Sequence, residues 1–185
     1  EERARQGIEI MGTQGGYIDI PNFVPGSQYM PFSSQLDFLG QPVPYWLYIG
    51  GNNVMGEQVP LRVDMQDELA EFIESGITEC SFGSFPAFDV LLGDVPVVDV
   101  DILANSVEVD VKTSLTIIFG EQVANVNSHE VSVSSKLGKF YDMALDIYDK
   151  QNKDAFFEDY AIDVMRLYAP VTGVEVGCEP LIFNF

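Results

Sequence analysis

Positive charge is scarce in this chain. Nine lysines and arginines stand against 29 aspartates and glutamates in 185 residues, for a formal net charge of -20. Nucleic-acid binding rests on basic patches that release counterions from phosphates, so a field of this sign excludes nucleic acid as the expected partner. It argues equally against an anionic membrane surface. Two roles stay open for the carboxylates. One is a solvated acidic face that keeps a secreted or salt-exposed protein soluble; the other is the collection of divalent cations or basic partners. So few lysines also suggest a salty habitat.

Long apolar runs are missing as well. No stretch approaches the roughly 18 residues of a membrane span, so membrane contact is expected only through a segment outside this piece. Residue 1 is Glu, and no secretory signal precedes the fold, which reads as a processed or trimmed form. Histidine occurs once, at His129, and cysteine twice, at Cys80 and Cys178. Neither cysteine has CxxC spacing or a neighbouring histidine, as a zinc site would require. The pair reads as two buried thiols or as one disulfide. A bridge closing a loop of about 100 residues would contribute about 4 to 5 kcal/mol in the chain-entropy model. With no GxSxG elbow in the chain, His129 reads as a strand histidine rather than a general base.

What is present is apolar. Hydrophobic residues make up 46% and aromatics 12%, well above the disordered range, so the chain folds. "MGTQGGYIDIP" (11–21) places Gly12, Gly15 and Gly16 within five positions. It lacks the GxGxxG spacing of a dinucleotide site and the Gly-Lys-Ser/Thr of a phosphate loop. It reads as the stop of an N-terminal helix, with Gly12 or Gly15 left-handed, followed by an extended segment from Tyr17 to Ile20. Residues 22–44 read as an ordered surface loop, and "YWLYIG" (45–50) as a short strand. Asp64 is the expected N-cap of a helix through about Glu79, with Leu69, Phe72, Ile73, Ile77 and Cys80 on its apolar face.

The centre is the clearest part. Val98, Val100 and Ile102 alternate with Asp99 and Asp101; Val107, Val109, Val111, Leu115, Ile117 and Phe119 keep one phase; Val131 and Val133 continue the pattern after turns at 104–106 and 120–122. This predicts a meander of long antiparallel strands with one buried and one wet face. Two helical stripes follow, led by Phe140 and Phe156, and stand as the candidates to cover the apolar face. The expectation is an α+β fold: a single domain over 1–185, with residues 1–60 holding the helix end, loop and first strand. Residues 61–185 would hold the helix, meander, two helices and C-terminal strands.

Three groups of residues offer chemistry. Tyr45, Trp46 and Tyr48 can present an aromatic platform to sugar or peptide, against local packing as the alternative. Asp99, Asp101 and Asp110 are candidates for calcium, although they fit the polar face of an alternating strand without it. Otherwise no cofactor or metal is expected. Leu181, Ile182 and Phe183 form a short apolar strand suited to addition between subunits.

Several stretches carry a resemblance: "IEIMGTQGGYIDIP", "YWLYIGGNN", "MQDELAEFIESGITEC", "FPAFDVLLGDV", "SSKLGKFYDMALDIYDKQ" and "RLYAPVTGVEVGCEP". In order and spacing the chain resembles uncharacterised archaeal membrane-anchored proteins, in which a QGGY motif follows an N-terminal helix and an extracytoplasmic domain follows the anchor. The resemblance implies an outward-facing protein, tethered upstream of Glu1 and continuing beyond Phe185. It supplies no activity to transfer. The expected function is a non-enzymatic structural or adhesive protein of the cell surface or secreted space, acting through self-assembly or protein partners. The alternatives are a carbohydrate- or peptide-binding module and an extracytoplasmic hydrolase using paired carboxylates.

Overall fold

The computed structural model describes residues 1–29, 31–79 and 88–168. The chain parts into two compact units, residues 1–139 and 140–185. The fold is α+β.

The first unit opens with α1 (Glu2–Thr13). Of the two expected candidates, Gly15 has the positive φ, 70°, while Gly12 lies inside the helix; Gly16 adds a second positive φ of 103°. Tyr17 to Ile20 form no strand. Instead the Tyr17 hydroxyl donates to the Gln58 carbonyl at 2.6 Å, and the amides of Ile18 and Asp19 donate to Glu68 Oε2 at 2.7 and 3.1 Å.

The region expected as an open loop contains a hairpin, β1 (Gln35–Phe38) with β2 (Gln41–Pro44). Its two turn residues, Leu39 and Gly40, both have positive φ, which matches the twist of paired strands. Pro42 and Pro44 hide the second strand from a propensity reading, yet a two-stranded sheet has only edges, where proline is tolerated. Ser34 ties the region together. It is fully buried, its hydroxyl accepts from the Val24 amide, and its carbonyl accepts from Tyr45 and from the Gln58 side chain. A second hairpin pairs β3 (Leu47–Ile49) with β4 (Met55–Glu57).

Next comes α2 (Arg62–Thr78). Its N-cap is Leu61 rather than Asp64, and no side chain caps it. Leu61 leads in with extended backbone, so the helix starts three residues earlier and Asp64 sits in the first turn, where its charge complements the helix dipole. Met65, Leu69 and Ile73 are buried. Gly7 lets α1 lie close to Leu69 and Phe72, and the Arg3 guanidinium stacks 3.7 Å over the Phe72 ring.

The main sheet centres on β7 (Ser106–Phe119). One side of it pairs along the length of β8 (Gln122–Ser134); the other pairs first with β6 (Val97–Ile102) and then with β5 (Asp89–Leu92), all antiparallel. The meander is as the alternation predicts, with Val98, Val100, Ile102, Val107, Val109, Val111 and Val133 buried. β5 was not foreseen. Pairing slips by one residue where Lys112 faces Ser128 but Leu115 faces Val126. The extra residue is on β7, where Thr113 and Ser114 together stand opposite Asn127, a β-bulge.

Within the first unit, α2 packs on this sheet. It lies along β6, and its polar side chains bond to that strand's outer edge: Arg62 Nη1 donates to the Ile102 carbonyl at 2.8 Å, Gln66 Nε2 to the Val100 carbonyl at 2.7 Å, and Glu74 Oε1 accepts from the Val98 amide at 2.8 Å.

Two further helices follow, α3 (Leu137–Asp154) and α4 (Phe156–Tyr168). Ala155 breaks them apart with φ 49°. Gln151 spans the break, accepting from the Phe157 amide and donating to Glu158, whose carboxyl is thereby held below its ordinary range. Phe140, Met143, Ile147, Phe156, Phe157 and Tyr160 are exposed. Among the described residues, no helix is long and apolar enough to cross a membrane.

Candidate functional site

The three predicted aromatics part company. Trp46 turns inward and donates its indole N–H to the Gly15 carbonyl at 2.9 Å, so it clamps the QGGY bend rather than joining a platform. Tyr45 and Tyr48 do meet, lining an apolar groove of about 390 Å³ with Phe32, Ser33, Leu47 and Ile49. Tyr48 lies across Gly56 on the partner strand, where any side chain would displace its ring. Phe32, 70% exposed, is the third aromatic of the groove and belongs to the same aromatic segment that the sequence offers for binding.

A larger cleft, about 640 Å³, opens between the ends of α1 and α2 and the strands β7 and β8. Its walls are mainly apolar, with Ala4, Ile73, Ile77, Val109, Val111 and Val131 among them. His129, exposed, also lines it. The buried hydroxyl of Thr113 has no hydrogen-bond partner there. The cleft exists because the sheet runs on past the helices, a feature of relative length that neither pattern discloses alone.

The acidic candidates fall on the opposite, wet face of the sheet. Asp99 stands directly across from Asp110, Asp101 from Glu108, and Asp110 from Glu130. Such like-charge pairs oppose strand pairing. Lys112 relieves them, its Nζ lying 2.5 Å from Asp99 and 3.7 Å from Asp110. The hydrogen bond to Asp99 and that carboxylate's charge raise the lysine above its ordinary range. Serine hydroxyls at 106 and 132 both donate to Glu108 Oε1. A lysine and two serines thus perform the compensation that a cation would otherwise supply. Among the described residues, no three metal-ligating side chains converge.

Cys80, Cys178 and the apolar strand Leu181, Ile182 and Phe183 lie outside the described residues. The acids of α3 and α4, including Asp142, Asp146, Asp154, Glu158 and Asp163, are exposed.

Comparison with known protein families, curated proteins and solved structures yields no match for this chain.

Proposed function

We propose that this chain is a non-enzymatic structural or adhesive protein of an extracytoplasmic surface, working through self-assembly. One observation carries the reading. The β7–β8 hairpin is 14 and 13 residues long on its two strands, and β8 is exposed from Gln122 to Glu130. A ribbon of that length, uncovered along one strand, presents surface for another chain. The net charge of -20 sets the conditions, since copies repel one another until salt shortens the range of the field. Light scattering from low to several molar salt, with and without calcium, tests it. Growth of discrete assemblies with salt is the expected result; a monomer under every condition overturns it.

A second reading rests on the Tyr45 and Tyr48 groove. Aromatic-lined grooves take sugar rings or proline-rich peptides. Titration with oligosaccharides and proline-rich peptides, read by shifts of the tyrosine ring resonances, decides it. Saturable shifts at Tyr45 and Tyr48 favour the binding module, and unmoved resonances discard it.

A further inference from the structure

The two edges of the main sheet are treated differently. On β6, each of the outward-facing residues Val98, Val100 and Ile102 has one backbone group bonded to a side chain of α2. On β8, among the described residues, no strand pairs with the outer edge. Proteins blunt such edges with proline, lysine, short length or a covering element, because a free row of N–H and C=O groups recruits another strand. β8 has none of the first three. It runs for 13 residues, QVANVNSHEVSVS, with no proline and no lysine. The chain does use prolines on an edge elsewhere, at Pro42 and Pro44 of β2.

We infer that the outer edge of β8 is the assembly surface, and that its partner is β8 of a second copy, paired antiparallel about a two-fold axis. This inference rests on the self-assembly reading and specifies its contact. A two-fold pairing of identical strands is isologous: each copy gives and receives the same hydrogen bonds, so one surface suffices. The strand's own charges permit it. His129 and Glu130 are its only ionisable residues, so no register sets like charges opposite each other unless the axis passes through one of those two positions. The acids that would oppose a second copy sit on the neighbouring strands, Asp99, Asp101, Glu108 and Asp110, one or two strands in from the contact. Repulsion between copies is therefore a matter of the general field, which salt screens.

The outward direction of the amides also follows from the geometry. Ser135 N–H bonds to the Asn105 carbonyl, so in the proximal half of β8 the odd residues bond inward and those of Glu130 and Ser132 face out.

The test uses the full chain and two readouts. Sedimentation velocity in molar salt is compared for the natural sequence and for Asn127→Lys with Ser128→Lys, two exposed positions at the middle of the strand. The natural chain doubles in mass and the double variant stays monomeric, although its lysines lessen the net negative charge. Amide hydrogen exchange of the natural chain then compares dilute with concentrated protein. Glu130 and Ser132 amides slow at least tenfold on concentration, while inward amides such as Val131 change less. Assembly that survives in the lysine variant, without concentration-dependent protection of β8, overturns this inference but leaves the self-assembly reading standing. A monomer in all salts removes both.

Discussion

At the scale of single residues, the chain's three-glycine bend is a joint. Gly16 has φ 103° and its missing Cβ would fall 2.7 Å from Pro60 Cγ, so Gly16→Ala is strained twice. It should cost on the order of 1 to 3 kcal/mol, read as a lower urea midpoint with unchanged slope. Trp46→Phe keeps a ring but loses the bond to Gly15, and about 1 kcal/mol is expected to go with it. Lys112 supplies a pH signature. Its folded pKa is raised, first by the hydrogen bond to Asp99, so its contribution is complete below the ordinary lysine value and disappears as pH rises through the folded one. Lys112→Gln should therefore melt below the natural chain at neutral pH and low salt, with the gap closing in strong alkali and in molar salt. A bend at "GTQGG" is legible because glycine spacing is local. That Trp46, 31 residues away, would close it is not, since an indole N–H finds its acceptor only when the chain is folded.

At the scale of elements, α2 is the keystone of the first unit. Leu69 is wholly buried between α1 and the sheet side of the helix, and Leu69→Ala should destabilise by about 2 to 5 kcal/mol, measured by chemical unfolding. Gln66→Ala should cost about 1 to 2 kcal/mol, because it leaves the Val100 carbonyl on β6 without its side-chain donor. The long strands and the apolar face of α2 were readable, for periods of 2 and 3.6 are written in consecutive residues. The start of α2 was less so. Asp64 is a good N-cap by type, but Leu61, whose backbone is extended, takes the position and Asp64 falls in the first turn. The β1–β2 hairpin was hidden by its prolines, and β5 by its short length.

For the whole molecule, charge decides behaviour. A net charge of -20 on 185 residues destabilises the compact state through self-repulsion, and salt relieves it. The melting temperature should rise from low to molar salt even in the Asn127→Lys, Ser128→Lys variant. That result would separate intramolecular screening from association, since in that variant a rise with no change of mass cannot come from pairing.

The α+β class, the antiparallel meander, its wet and buried faces and the sign of the field were determined by the sequence itself, because each depends on residue type and on neighbours within a few positions. Tertiary structure alone decided that α2 packs on the sheet, that Trp46 serves the bend while Tyr45 and Tyr48 share a groove, and that Lys112 answers Asp99. It also decided that side chains of α2 bond the outward backbone of β6, while among the described residues no strand pairs with the outer edge of β8. Those outcomes join residues far apart in the chain, and free energy of packing, rather than local preference, selects among the many ways of joining them.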